Sequence, residues 1–319
     1  MPISHKRSKL KKILITTSSF GKHDSKVLSD IEKQGFEYVK NPFARKLTEN
    51  EVIELIQEHK PVGIIAGVEP LTRKVFELSK CVKVISRCGI GMDSVDLNAA
   101  REHDISVVNT PDAPTIPVAE LTLGLILALL RKIHISDAAI RRKDWVRPTG
   151  NLLYGKTAGI IGCGRIGSYV AKLLHCCGCK IIGYDPFVKK KDGIRLVDLE
   201  ELLSNSDIVS LHMPYSDECK HFINARRLQV MKEGGILINA ARGGLVDESA
   251  LYDALVSGHL SAAALDCFEQ EPYTGRLKTL ENVLLTAHIG SYAREGRILM
   301  ERQAVENLFS EFDKMGAAI

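Results

Sequence analysis

Short apolar runs alternate with amphipathic stretches along most of the chain. The runs at residues 13–16, 62–66 and 82–86 have the composition of buried β-strands. Between the first two runs, apolar positions around residues 52–56 recur with helical spacing. Strands that alternate with helices predict βαβ units and a mainly parallel sheet.

A second series of elements is predicted to start near residue 105. The apolar run at 105–109 ends in a proline-containing break, and a long apolar helix is predicted over residues 118–131. Six further runs predict strands at residues 157–161, 180–184, 208–211, 235–239, 262–265 and 283–286. Six strands separated mostly by helices form a full dinucleotide-binding fold. We therefore predict an α/β chain with a Rossmann-type doubly wound parallel sheet, followed by a last helix at 293–312.

Composition adds mainly exclusions. The chain has 319 residues, of which 45% are hydrophobic and 26% charged, a length that predicts about two domains. A net charge of +4 gives no reason to expect a nucleic acid partner. The longest apolar run, at 121–130, is too short to cross a membrane, and no secretory signal is recognisable, so we predict a cytoplasmic protein without a membrane partner.

The eight cysteines do not suggest a metal site. Only Cys176, Cys177 and Cys179 cluster, and no second pair completes a zinc-binding set. We interpret them as reduced thiols and predict that the protein holds no metal.

A glycine-rich motif gives the sharpest local signal. Gly162, Gly164 and Gly167 form a G-x-G-x-x-G pattern that follows a predicted strand and opens a predicted helix at 168–177. The first glycine permits a tight turn, the second lets a pyrophosphate approach, and the third lets the helix pack against the strand. Free N–H groups and the positive end of the helix dipole then attract the diphosphate.

An acid at the end of the next strand bears on cofactor choice. Asp185 lies 18 residues beyond Gly167, where a carboxylate accepts hydrogen bonds from the adenosine ribose. The carboxylate also repels a 2′-phosphate, so the sequence favours NAD over NADP. Three lysines at 189–191 leave an NADP-linked reductase open as an alternative.

Polar residues follow three further strands, where they are expected to meet the cofactor. Arg242 lies just beyond the run at 235–239, an acidic loop occupies 266–272, and His288 follows the run at 283–286. An arginine fork suits the carboxylate of a 2-keto acid. A histidine can deliver a proton to the alkoxide that forms when hydride reduces a ketone.

These motifs together resemble the D-isomer-specific 2-hydroxyacid dehydrogenase family over residues 13–312. The resemblance rests on the glycine loop with Tyr184-Asp185-Pro186, Ala241-Arg242-Gly243-Gly244, Glu271-Pro272 and His288-Ile289-Gly290-Ser291. It implies that Arg242 binds the substrate carboxylate and carbonyl, that His288 is the general acid/base, and that Glu271 is its partner.

The resemblance also implies wider binding sites for NAD and a small anionic 2-hydroxy or 2-keto acid. The implied cofactor contacts include the glycine motif. They are Ile90, Gly162, Gly164, Arg165, Ile166, Gly167, Asp185, Met213, Ala240, Ala241, Asp266, Gly290 and Ser291. The implied substrate contacts are Gly67, Val68, Arg87, Gly89 and Arg147.

The domain organisation implied by the resemblance is discontinuous. Residues 1–100 and 290–319 would form a smaller flavodoxin-like substrate-binding domain, and residues 101–289 the NAD-binding Rossmann domain, with the active site in the cleft. Members are usually homodimers, and the long helix starting near residue 118 is either their dimer-forming segment or a buried core helix.

The substrate stays open at this stage. The segments at 71–72, 87–93 and 109–111 resemble the branch of D-3-phosphoglycerate dehydrogenases that lack a regulatory domain, which implies oxidation to 3-phosphohydroxypyruvate. Arg87 and Arg147 match the cations that this branch uses for phosphate, but a third cation expected near Ala66 is absent. Reduction of glyoxylate, hydroxypyruvate or another 2-keto acid is an alternative, and so is an NAD(H)-sensing co-repressor-like binding protein.

Overall fold

The computed structural model describes residues 10–316, which divide into two compact units. Unit 1 comprises Met1–Pro114 and Arg294–Ile319, and unit 2 comprises Thr115–Ala293. Residues 1–9 and 317–319 of the predicted substrate-binding domain lie outside the described residues. Each unit is built on its own parallel sheet, and both sheets confirm the α/β fold class.

Unit 1 is a five-stranded sheet with helices on both faces. Its strands are β1 (Lys12–Ile15), β2 (Glu37–Lys40), β3 (Gly63–Ala66), β4 (Val84–Arg87) and β5 (Ser106–Asn109). Its helices are α1 (Lys26–Lys33), α2 (Glu49–His59), α3 (Arg73–Glu77), α4 (Leu97–Glu102) and, from the end of the chain, α11 (Arg294–Met315). The strand order β2-β1-β3-β4-β5 is the flavodoxin-like order.

Alternation along β1 divides the core of unit 1 into two layers. Leu14 packs with α2, α3 and α4, whereas Ile13 and Ile15 pack with α1 and α11. Successive side chains of a strand point to opposite faces, so one short apolar run supplies both layers. The Met300, Ala304, Leu308 and Phe312 side chains of α11 complete the second layer.

The compact units divide at a later residue than the boundary predicted after residue 100, because β5 belongs to unit 1. Ser106–Asn109 pairs in parallel with Val84–Arg87, and the unit ends at Pro114. At the other end, the boundary lies between Ala293 and Arg294 rather than at residue 290. A strand joins the sheet that offers it hydrogen-bonding partners, and position along the chain does not reveal those partners.

Unit 2 contains the six strands predicted from the sequence and one short addition. Its strands are β6 (Thr157–Ile161), β7 (Lys180–Tyr184), β8 (Arg195–Leu196), β9 (Ile208–Leu211), β10 (Gly235–Asn239), β11 (Leu260–Leu265) and β12 (Val283–Leu285). Its helices are α5 (Thr115–Leu130), α6 (Ile133–Arg141), α7 (Arg165–Cys176), α8 (Leu199–Asn205), α9 (Ala225–Val230) and α10 (Glu248–Val256). The strand order in this sheet is β12-β11-β10-β9-β6-β7-β8. Successive strands are added in one direction from β6 to β8 and in the other from β9 to β12, and doubly wound sheets bind ligands at the boundary between the two halves.

The long helix α5 is a core element of unit 2. Eight of its residues are buried, and it packs beside α7 against the strands. α8, α9 and α10 cover the opposite face of the sheet. Every strand pair in the sheet is parallel, so the loops after β6, β7, β9, β10, β11 and β12 share one edge.

Within residues 10–316, the helices are all too short or too polar to traverse a lipid bilayer. In the same range, no three histidine, cysteine, aspartate or glutamate side chains come together as ligands for a metal ion. The cytoplasmic location stays a prediction.

Candidate active site

The glycine motif forms a cradle at the start of α7. Gly162 has a φ of +91°, and its N–H donates to the Tyr184 carbonyl at 2.8 Å. A Cβ on Gly167 would lie 1.9 Å from the Gly162 carbonyl oxygen, so a side chain there would separate helix and strand. A Cβ on Gly164 would meet no atom within 4 Å, which leaves room for a ligand. The cradle therefore fits a dinucleotide pyrophosphate.

Two backbone N–H groups fix the Asp185 carboxylate. The Cys163 N–H of the glycine loop donates to Asp185 Oδ2 at 2.8 Å, and the Phe187 N–H donates to Oδ1 at 2.9 Å. Each carboxylate oxygen accepts more than one hydrogen bond, so both can still receive ribose hydroxyls. The acid and the phosphate cradle are thus one structural element.

Residues after β9 support the same loop. A Cβ on Gly162 would lie 2.7 Å from the carbonyl carbon of His212 and 2.8 Å from the Met213 nitrogen. Burial lowers the pKa of His212 to about 3, so its ring is neutral, and it forms a 2.8 Å hydrogen bond with Ser210. The resemblance implied Met213 as a cofactor contact, but nothing in the sequence indicated His212, whose only signal is a polar residue at a strand end.

The segment that carries Arg242 is held by a buried asparagine. Asn239 Nδ2 donates to the Arg242 carbonyl at 2.8 Å, and Asn239 Oδ1 accepts the Ala241 N–H at 3.1 Å. Arg242 Nη1 donates to the Ala241 carbonyl at 2.7 Å. Asn239 is fully buried at the end of β10, and this polar position also went unrecognised in the sequence.

Asp266 organises the turn that follows β12. Its Oδ1 accepts the Thr286 hydroxyl at 2.6 Å and the Ile289 N–H at 2.8 Å, and its Oδ2 accepts the Gly290 N–H at 2.7 Å. The resemblance implied Asp266 and Gly290 as cofactor contacts, and the two residues bond to each other and position the turn around His288. Ser291 follows directly and is half-buried.

His288 and Glu271 form the pair expected of a general acid/base and its partner. His288 Nδ1 lies 3.0 Å from both carboxylate oxygens of Glu271. An ionised carboxylate only accepts hydrogen bonds, so Nδ1 carries the proton and donates it. Nε2 is then the ring atom that can exchange a proton with a substrate. His288 adopts a φ of +53°, which is uncommon for a residue with a side chain and recurs at functional sites.

Two of the three catalytic candidates, Arg242 and Glu271, act electrostatically on the buried Cys267 thiol. Burial raises the pKa of Cys267, the charges of Asp266 and Glu271 raise it further, and the charge of Arg242 opposes them. Arg242 and Glu271 therefore both lie within electrostatic range of Cys267, and Glu271 holds His288. The geometry of unit 2 thus brings Arg242, Glu271 and His288 together at the edge that carries the glycine cradle.

The predicted substrate residues of unit 1 follow two neighbouring strands. Gly67 and Val68 follow β3, and Arg87 and Gly89 end or follow β4, with Ala66 paired to Arg87. Ile90, a predicted cofactor contact, comes directly after Gly89. Val68 is exposed, whereas Gly89 is buried with a φ of +144°, in close approach to the Arg87 guanidinium. They form one group within unit 1. Arg147 lies instead in an exposed segment of unit 2 between α6 and β6.

Buried polar groups pin both unit 1 loops. Gly67 N–H donates to Thr16 Oγ1 and to Glu69 Oε1, both at 3.0 Å, and the Thr16 hydroxyl also donates to Glu69. Burial raises the pKa of Glu69, although these bonds and Arg87 favour its ionised form. Thr110 accepts the Gly89 N–H at 2.8 Å. Thr16 was not identified from the sequence.

Cys88 lies beside Arg87 but is chemically protected. Burial raises the pKa of its thiol to about 11, so little thiolate exists near neutral pH. The Arg87 guanidinium donates to the Cys88 carbonyl. This bond turns the Arg87 side chain back toward its own loop.

Comparisons with known proteins agree with this arrangement. The family described as "D-isomer specific 2-hydroxyacid dehydrogenase, NAD binding domain" matches residues 123–290. A D-3-phosphoglycerate dehydrogenase of Methanocaldococcus jannaschii is 44% identical over 262 residues, which are 80% of this chain and 50% of that protein. A hydroxypyruvate reductase of Thermotoga maritima is 40% identical over 272 residues, 83% of this chain and 89% of that protein.

The solved structures show the same likeness over both units. The TT0316 protein of Thermus thermophilus is 37% identical, with a TM-score of 0.86 over 95% of this chain and 97% of that one. The chain spans about half the length of the Methanocaldococcus jannaschii relative but most of the length of the Thermotoga maritima one.

Proposed function

Because the chain belongs to the D-isomer specific 2-hydroxyacid dehydrogenase family, we propose that it transfers a hydride between NAD and C2 of a small D-2-hydroxy acid. The observation that carries this proposal is the His288–Glu271 hydrogen bond, which lies near Arg242 at the edge that bears the glycine cradle. The cradle and Asp185 would hold the dinucleotide.

The chain's own residues account for the proton and for substrate orientation. When bound, the nicotinamide supplies or accepts the hydride. In reduction, C2 gains the hydride, and His288 Nε2 gives its proton to the oxygen of the former carbonyl. In oxidation, Nε2 takes the hydroxyl proton as the hydride leaves C2. Glu271 holds Nδ1–H, and this stabilises the ring when it carries a second proton.

Arg242 would bind the acid itself. A guanidinium can form two parallel hydrogen bonds with a carboxylate. These bonds would fix C2 of the acid relative to the hydride donor and the proton donor. The Nη1 bond to the Ala241 carbonyl limits the motion of the fork. Asp266 contributes through the turn, because its three hydrogen bonds set the backbone on both sides of His288.

D-3-phosphoglycerate is the proposed substrate, on the basis of the 44% identical relative and of Arg87 and Arg147. A specific observation favours a second candidate, the reduction of hydroxypyruvate or glyoxylate. The segment from Gly63 to Val68 contains no cation, and Arg87 bonds to its own loop. A phosphate would therefore meet less positive charge than three cations would supply.

A panel assay tests both levels of this proposal. NADH absorbance would be followed with NAD and D-3-phosphoglycerate, D-glycerate or D-lactate, and with NADH and hydroxypyruvate or glyoxylate. Turnover of D-3-phosphoglycerate supports the first candidate, and turnover of unphosphorylated acids alone supports the second. NADH binding without turnover of any acid would instead favour a nucleotide-sensing binding protein.

Cofactor choice should depend on the Asp185 charge. We expect Asp185→Asn to lower the ratio of kcat/KM for NAD over NADP by about ten- to a hundredfold, because charged hydrogen bonds contribute about 1.5–3 kcal/mol. Steady-state kinetics with both cofactors measures the ratio. The exposed Asp192, seven residues later, provides the control Asp192→Asn. An unchanged ratio in Asp185→Asn would remove Asp185 from ribose recognition.

A second copy of the chain is the partner that we propose for an exposed apolar surface of unit 2. The exposed apolar side chains of residues 133–154, which we assign to this surface, are Ile133, Ile140, Trp145, Val146, Leu152 and Tyr154, and Trp145 is 82% exposed. Monomeric proteins rarely expose large apolar patches. We expect sedimentation velocity to give a dimer that Trp145→Glu dissociates, whereas Leu78→Glu in unit 1 leaves it intact. A monomeric wild type contradicts this assignment.

A further inference from the structure

The His221 ring connects two segments that carry catalytic candidates. His221 Nε2 donates to Glu269 Oε1 at 3.1 Å, and Nδ1 lies 3.9 Å from Asp247 Oδ2. All three side chains are about one-third exposed, so the contacts are only partly screened by water. We refer to His221, Asp247 and Glu269 as the His221 bridge.

The first of these two segments follows Arg242, and the backbone around His221 runs alongside it. The His221 N–H donates to the Gly244 carbonyl at 2.8 Å, and the Ile223 N–H donates to the Leu245 carbonyl at 2.8 Å. The Asp247 N–H returns a bond to the Ile223 carbonyl at 3.0 Å. The backbone around His221 is therefore registered against the segment that begins at Arg242.

The second segment is the acidic loop that carries Glu271. The Glu269 N–H donates to Glu248 Oε1 at 2.8 Å, and the Phe268 N–H donates to Glu271 Oε1 at 3.1 Å. A Cβ on Gly243 would lie 1.9 Å from the Phe268 carbonyl carbon, so the two segments touch through their backbones. A shift of Glu269 would therefore be transmitted to Glu271.

Charge explains why a histidine suits this position. Asp247 and Glu248 face it from the start of α10, and Glu269 faces it from the acidic loop. Burial and the Glu269 charge raise the pKa of Glu248, and His221 opposes this. Tyr215 and Asp217 lie on the same side, and burial with the charges of Asp217 and Glu269 raises the pKa of Tyr215. Ring N–H donors offset repulsion among these carboxylates.

We propose that His221 is a positioning residue that holds the Glu271 loop in register with the Arg242 segment. It acts through Glu269 and Asp247 rather than on a reacting atom. The inference rests on the proposed dehydrogenase function for its kinetic consequence. Its structural consequence, the order of residues 266–272, is independent of any substrate.

The test replaces His221 without changing the backbone preference. His221 has a φ of +52°, which asparagine tolerates well, and the shorter amide does not span the His221 Nε2–Glu269 distance. We expect His221→Asn to lower kcat about tenfold, with KM for NAD within about twofold, since small misplacements slow chemistry more than binding. His259→Asn, at a histidine that bonds the Leu228 carbonyl elsewhere in unit 2, is the control.

A double-mutant cycle separates bridging from general destabilisation. Glu269→Gln and the double variant should lower kcat by no more than His221→Asn does alone, because each of them weakens or removes the same His221–Glu269 interaction. Additive losses, or an unchanged kcat in His221→Asn, would overturn the proposal.

Amide hydrogen exchange decides the structural part even if no acid is turned over. Exchange in residues 266–272 should be faster in His221→Asn, with α7 unchanged as an internal reference. Equal exchange in the two proteins would overturn the bridge. Inactivity of the wild type on every acid tested, with faster exchange in the variant, would instead reject the proposed function and keep the bridge.

Discussion

Replacing His288 with asparagine should lower kcat by about a hundredfold to ten-thousandfold, the range of general acid–base catalysis. The imidazole holds a proton at Nδ1 for Glu271, 3.0 Å away, and exchanges another at Nε2. An asparagine amide cannot accept and release a proton near neutral pH. Because asparagine also tolerates a φ of +53°, the loss should reflect chemistry rather than backbone strain.

The measurement is kcat in both directions with the best acid of the panel, together with NADH affinity by fluorescence. NADH affinity should change little, because the cradle and Asp185 lie on other loops. His175→Asn, at an exposed position of α7, is the matched control. A kcat within twofold of the wild type would reject His288 as the acid/base.

Replacing Arg242 with lysine should lower kcat/KM for the acid by about a hundredfold. Lysine keeps the charge but lacks the planar fork, so one of two parallel hydrogen bonds is lost and the bond to the Ala241 carbonyl goes with it. Two charged hydrogen bonds at about 1.5 kcal/mol each give about this factor.

Steady-state kinetics with varied acid and saturating cofactor measures the change. Arg195→Lys, at an exposed arginine that pairs with Glu201 at 2.8 Å, serves as the control. A rise in KM for NAD with an unchanged kcat/KM for the acid would assign Arg242 to the cofactor instead.

Local chemistry explains why the nucleotide cradle was predictable. Gly162, Gly164 and Gly167 act through their own backbone conformations and through the adjacent helix, so sequence spacing carries the information. Asp185 also follows its strand directly. The six main strands of unit 2 are buried, and burial leaves a continuous apolar run in the sequence.

Features that depend on distant partners were not predictable. β2 is half exposed and has no continuous apolar run, and β5 shows no sign in its own residues of the sheet it joins. The sequence around Asp266 does not reveal whether its carboxylate faces a cofactor or the Thr286–Gly290 turn. The His221–Glu269 contact joins residues 48 positions apart, which no local pattern encodes.

The discontinuity of unit 1 has a consequence for biosynthesis. The second core layer of unit 1 is completed by Met300, Ala304, Leu308 and Phe312 of the final long helix, whereas Thr115–Ala293 holds its own core. On the ribosome, the middle of the chain can therefore fold while the amino-terminal hundred residues still lack their last helix. Those early residues expose apolar surface until translation reaches Phe312, and during that interval they are the part of the nascent chain that chaperones would need to shield.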